Sequence, residues 1–207
     1  PEDSAIREKL RRRKHAAAGT PAPPPQQPSH KADSGVAKRA MDAFMAGQAD
    51  NALDTLGGDL DESGLALKNK IIKFNEVFKA ASDVAGVKKA LAFESKIAGG
   101  KSAYATQLKR KLGDAQMEEG LKLMAQQRQL DAYRAFKEAL SNNPDLSQAK
   151  KKMNDIQALA RDVFNQGYIL KDSDRAAARD KWQRVLTMVP PEDETAQKAK
   201  KWLDALK

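Results

Sequence analysis

From Val36 to Asn143 apolar residues recur every three or four positions, and no proline interrupts them. That period lays one apolar stripe along a helix. Val36, Ala40, Ala43, Phe44 and Ala46 share a face, and Gly47 breaks it; Ala52, Leu53 and Leu56 follow, ended by Gly57-Gly58. Asp61 or Ser63 then caps a longer helix through Leu67, Ile71, Phe74, Val77 and Phe78, because a short oxygen-bearing side chain accepts from the unpaired amides of a helix start. Ser82 or Asp83 opens a shorter helix with Val87, Leu91, Ala92 and Ile97, closed by Gly99-Gly100. A long helix is predicted from Ser102 to about Gln127, through Tyr104, Leu108, Leu112, Ala115, Gly120 and Leu123. A short one runs from Leu130 to Leu140 and is stopped by Asn142-Asn143-Pro144. Asp145 to about Leu170 is long again, Asp174 to Val189 follows up to Pro190-Pro191, and Glu192 to Leu206 is the last. β-branched residues never alternate over a strand length. The pattern is an all-α chain of antiparallel hairpins, long helix then short helix.

Residues 1–33 break the pattern. "SAIREKLRRRKHAAA" is followed by "GTPAPPPQQPSHKADSG", which holds five of the nine prolines. Proline fixes φ and has no amide proton, so a semi-rigid, disordered, basic linker is expected there, with the helical domain spanning 34–207. Hydrophobic residues make up 41 % of the chain but aromatics only 5 %, so burial rests on Leu, Ala, Met, Val and Ile, which suits helix-on-helix packing. The sequence begins at Pro1 rather than Met, as expected of a fragment or a processed chain.

Two segments repeat an order of residue types. Gly120, Ala132, Phe136, Ala139 and Pro144 form one set; Gly167, Ala178, Trp182, Val185 and Pro190 form the other, with one residue fewer between the first two. A small residue on each helix lets two backbones cross closely, a large apolar residue fills the space beside them, and proline ends the unit. This order resembles the tetratricopeptide repeat, a hairpin unit of about 34 residues. Ala92-Phe93 and Ile97 give a weaker match, and the Gly35–Leu56 pair a weaker one still. Pro144 and Pro190 are 46 positions apart, and the excess falls in an unbroken first helix, adding roughly 18 Å. The resemblance implies hairpins at about 34–57, 61–98, 101–143 and 145–189, stacked as an α-solenoid with an extended first helix, and a capping helix at 192–206 carrying Trp202 and Leu203.

Catalytic and metal chemistry find no footing in the residues. Asp59, Asp61, Ser63 and Gly64 have the spacing of a calcium loop, but Lys70 stands where a bidentate Glu should close it, so no metal is expected. "GGKS" at 99–102 echoes a phosphate loop without the preceding strand, and reads as a helix end followed by a helix start. The two histidines, His15 and His30, lie in the linker, and no nucleophile–base pair stands on any predicted helix. There is no cysteine. An enzyme is not expected, nor a cofactor.

Net charge is +9, of which +3 falls in residues 1–34. The clusters Lys109-Arg110-Lys111, Lys150-Lys151-Lys152 and Lys198-Lys200-Lys201 run around their helices, since neighbours are about 100° apart. They read as solvated faces, and nucleic acid is not the expected partner. Membrane contact is left to the N-terminal basic segment or to sequence upstream. In the resembled family partners lie along the first helices. By position this gives Met117, Leu121 and Met124, and Phe164, Tyr168 and Lys171, as a partner-binding surface suited to an amphipathic helix or an extended apolar segment of another protein. With lengthened first helices the same residues can instead pack as core. The expectation is a protein–protein scaffold, the C-terminal part of a larger bacterial protein, in the cytoplasm or on the periplasmic face of the envelope. Its alternatives are a basic module for nucleic acid or an anionic membrane surface, and a regulatory array behind an upstream catalytic or signalling domain.

Overall fold

The computed structural model describes residues 34–206; the expected linker at 1–33 lies outside them. The described residues form nine helices and no strand: α1 (Ser34–Met45), α2 (Ala49–Thr55), α3 (Glu62–Ala80), α4 (Val84–Ala98), α5 (Ala103–Ala125), α6 (Gln129–Asn142), α7 (Ser147–Leu170), α8 (Arg175–Leu186) and α9 (Glu194–Ala205). Each packs on its neighbour in sequence; α1 also meets α3, and α7 meets α9.

Side chains fix where the helices start. Asp61 accepts from the Gly64 amide (2.7 Å), Asp83 from Gly86 (2.7 Å), Asp174 from Ala177 (2.9 Å) and Asp193 from Thr195 (2.8 Å). Each carboxylate satisfies an amide that the helix leaves free. At the α4–α5 turn the fully buried Glu94 reaches across: its Oε1 accepts from the Ser102 amide at 3.1 Å, while its Oε2 has no hydrogen-bond partner.

Close approaches hold the later hairpins together. A Cβ on Gly120 would clash with the ring of Phe136, which is fully buried on α6. Seven residues earlier, a Cβ on Gly113 would come within 2.6 Å of Asn143 Cβ and 2.9 Å of the Ala139 carbonyl. Residues seven apart share a helix face, so α5 meets α6 at two close approaches two turns apart. The α7–α8 hairpin repeats the device: a Cβ on Gly167 would meet Trp182 Nε1 at 2.7 Å. Trp182 is fully buried, and its indole N–H donates to the Phe164 carbonyl at 3.2 Å.

The α1–α2 hairpin carries the same plan more strongly than its residues suggested. Ala46, Gly47 and Gln48 donate to Asp42, Phe44 and Ala43; Gln126, Gln127 and Arg128 donate in the same order to Lys122, Met124 and Leu123. The two turns share this bonding pattern at an offset of eighty positions. That offset carries Gly120, Ala132 and Phe136 onto Ala40, Ala52 and Leu56, all three fully buried. Gly47 has φ +81, and Gln127 takes φ 61 at the matching place without glycine's freedom.

Apolar burial divides into two cores joined by α5. Phe44, Leu56, Ile71, Phe74, Val87 and Leu108 belong to the first. Met117, Phe136, Ile156, Trp182 and Met188 belong to the second. Tyr104, at the start of α5, sits 5.0–5.4 Å ring to ring from Phe44, Phe74 and Phe78, and its hydroxyl accepts from the Ala49 amide at the start of α2 (2.9 Å). Between the cores, buried Gln116 donates to Glu138 (2.6 Å) and accepts from Asn142 (2.9 Å); beside it Asn143 donates to Asp114 (3.0 Å). The Asn142-Asn143 pair that ends α6 therefore also fastens it to α5.

Two stability outcomes follow from this geometry. Gly120→Ala should lower the unfolding free energy by about 1–3 kcal/mol through overpacking, and the double variant with Phe136→Leu should lose less than the two single changes added together. Gln127→Gly should raise stability by about 0.5–1 kcal/mol by relieving the left-handed backbone. Urea unfolding midpoints check both.

Candidate functional site

The six residues singled out for partner binding come from α5 and α7, three on each. Helix geometry places Met117, Leu121 and Met124 along one side of α5, and Phe164, Tyr168 and Lys171 along the matching side of α7 and its end. The fold treats them in two ways.

Three pack inward. Met117 is 6 % exposed and belongs to the second core, and Met124 and Phe164 are half-buried against it. Phe164 lies 6.2 Å from Trp182, ring to ring. Of the other three, Leu121 and Tyr168 stay accessible and Lys171 is half-buried. Leu121 is 36 % and Tyr168 47 % exposed. The Tyr168 ring stands edge-on to Trp202 of α9 at 5.4 Å, and Trp202 stacks on Trp182 at 5.5 Å. The Lys171 ammonium lies 5.0 Å from the Tyr168 ring and 5.7 Å from the Trp202 ring, and pairs with Asp172 at 2.9 Å. The hydrogen bond that Lys171 donates to Asp172 raises its pKa above the ordinary value, so it is a fixed cation at neutral pH.

Sequence reasoning passed over Ile169, which at 77 % is the most exposed large apolar residue among those described. Its signal is a phase error: Val163, Phe164, Gly167 and Leu170 follow the inward stripe, and Ile169 sits off it. It also passed over Met41. This half-buried side chain follows Ala40 as Leu121 follows Gly120 and Tyr168 follows Gly167. One position of three hairpins thus carries a large apolar residue that the domain leaves at least partly open.

The motifs set aside for other chemistry are absorbed by local structure. Asp61, in the calcium-like spacing, accepts from Gly64 and from the Ser63 hydroxyl (2.8 Å), and these two donors hold its carboxyl below the usual range. Gly99, in "GGKS", ends α4 at φ +64, and Ser102 caps α5. Lys109, Arg110 and Lys111 are exposed, while Lys152 pairs with Asp155 (3.8 Å) and Lys198 with Glu194 (2.6 Å). No helix among the described residues is long and apolar enough to cross a membrane, and no group of three or more His, Cys, Asp or Glu among them could hold a metal ion.

The described residues define an all-α protein of two cores sharing one long helix. Comparison of the chain with protein-family models, with curated proteins and with solved structures finds no match.

Substitutions separate the inward residues from the open ones. Met117→Ala should cost about 2–4 kcal/mol as a core truncation. Leu121→Lys should change stability by no more than about 0.5 kcal/mol, as surface substitutions do. Chemical denaturation of the two variants reads the difference.

Proposed function

We propose that residues 34–206 act as a tetratricopeptide-like α-solenoid that binds an apolar segment of another protein and performs no chemistry itself. One observation carries this reading. Met41, Leu121 and Tyr168 occupy the same position in three hairpins, one residue past the small crossing residue, and none is fully covered by the fold. Exposed large apolar residues scattered singly are ordinary on protein surfaces; recurrence at one register position is the ground for reading these three as one row. An apolar helix or strand laid along such a row buries alternate side chains against it. Ile169, beside Tyr168, widens the row at its α7 end. The half-buried Met124 and Phe164 support the row from beneath, and the Lys171 ammonium marks its polar edge.

The reading in which basic clusters bind nucleic acid or an anionic membrane draws on the exposed Lys109-Arg110-Lys111, and salt distinguishes it. Counterion release weakens electrostatic binding steeply as salt rises, whereas burial of an apolar segment persists.

Photocrosslinking tests the proposal. A photoreactive phenylalanine placed at position 121 or 168 of the full chain should yield protein adducts in native extract at about 0.1 M and about 0.5 M salt alike. The same probe at the exposed Lys109 should give few. Combining Leu121→Lys with Tyr168→Lys should weaken capture at least tenfold, which is about 1.4 kcal/mol. Retention of nucleic acid or lipid instead, falling with salt and unchanged in the double variant, would contradict the proposal.

A further inference from the structure

A cleft of about 360 Å³ opens where α6, α7 and the turn before α9 come together, and it shares no residue with the apolar row. Two of the residues lining it, Tyr133 on α6 and Thr195 at the start of α9, are each 8 % exposed. Gln157 on α7 donates to the Tyr133 hydroxyl oxygen (3.5 Å) and to Asp193 Oδ2 (2.9 Å), while Asp193 Oδ1 accepts from the Thr195 amide (2.8 Å).

The acceptors of this cleft are already in use. Both oxygens of Asp193 have donors, Glu192 faces Lys137 at 3.4 Å, and Glu194 pairs with Lys198 at 2.6 Å. The donors are not. The Tyr133 hydroxyl accepts from Gln157 but gives its own proton to no described residue, and the Thr195 hydroxyl bonds to none. Arg161, which lines the cleft from α7, makes no hydrogen bond or ion pair with a described residue and acts on Glu194 only through its charge. A guanidinium offers five N–H groups and accepts nothing. Burial first, and then the Asp193 charge, raise the pKa of Tyr133 above its ordinary value, so the hydroxyl keeps its proton at neutral pH. Unused donors beside satisfied acceptors call for a ligand that is an acceptor. Lys137 is taken by Glu192 and Lys198 by Glu194, so Arg161 is the lining cation left to pair with one negative charge, while a dianion would face repulsion from Glu192, Asp193 and Glu194.

We infer that this cleft is a binding site for a carboxylate group, held by the Arg161 guanidinium and the hydroxyls of Tyr133 and Thr195. The group comes from a free small acid or from the acidic side chain of a polypeptide. Because the site is separate from the apolar row, either reading can fail without the other.

The test is a nuclear magnetic resonance titration of the full chain, following backbone amides and arginine Nε–H signals. The probes are acetate, inorganic phosphate and two end-capped tripeptides, Leu-Glu-Leu and Leu-Gln-Leu. Acetate and the Glu peptide should shift the Thr195 amide and the Arg161 Nε–H, and the Gln peptide should not. Tighter binding of the Glu peptide than of acetate, by tenfold or more, assigns the source to a polypeptide; similar affinities assign it to a free acid. Arg161→Gln, a change on an exposed residue, should abolish the shifts, and Tyr133→Phe should weaken binding about threefold to tenfold, the worth of one hydrogen bond. The inference is overturned if the Glu and Gln peptides act alike, if nothing shifts, if phosphate outcompetes acetate, or if Arg161→Gln retains the response while its urea midpoint shows it folded.

Discussion

The packing of the later hairpins depends on two places where a ring lies against a glycine backbone. Phe136 against Gly120 and Trp182 against Gly167 occupy space that any side chain on those glycines would take. Both rings are fully buried, so the fit sets how closely each helix pair approaches and how it is rotated. Glycine inside a helix costs up to about 1 kcal/mol relative to alanine. Burying an aromatic side chain is worth more than that, about 1.5–3 kcal/mol, which is why the exchange is favourable.

Rotation of each helix pair carries consequences to the surface. With Gly120 turned toward α6, Met117 turns into the second core and Leu121 toward solvent. With Gly167 turned toward α8, Phe164 turns inward and Tyr168 outward. The open residue beside each crossing glycine is thus the geometric counterpart of the crossing. Helix α5 transmits the arrangement further. Its first turns bring Tyr104, Leu108 and Leu112 to the first core, its later turns bring Met117 to the second, and the Gln116–Glu138–Asn142 bonds lie between. A polar contact there fixes register at little cost, because the side-chain nitrogen and oxygen of Gln116 each have a partner.

Much of this was legible in the sequence, for identifiable reasons. Helix starts showed because Asp61, Asp83, Ser102 and Asp174 are short acceptors ahead of apolar stripes, whereas the last helix was expected from Glu192 and starts at Glu194, after its cap Asp193. The α5–α6 and α7–α8 hairpins showed because glycine and a large ring are distinctive at fixed spacing. The α1–α2 hairpin was weak for the opposite reason. Ala40, Ala52 and Leu56 are common in any helix, α2 has only seven residues, and Gly57-Gly58 replaces the closing proline. Its likeness lies in the turn's hydrogen bonds, which Gln127 reproduces without the glycine that would have flagged it. Contacts between distant segments were not legible at all. The Glu94–Ser102 bond, the Tyr104–Ala49 cap and the cleft around Tyr133 and Arg161 depend on folding, since nothing local pairs those residues.

Ring-current shifts test the crossing most directly. A proton on the face of an aromatic ring resonates far upfield of its ordinary position. In a proton spectrum of the folded chain, the Hα signals of Gly120 and Gly167 should be displaced upfield and should show nuclear Overhauser contacts to the rings of Phe136 and Trp182. Glycine Hα signals at ordinary positions, with no contact to either ring, would contradict the account.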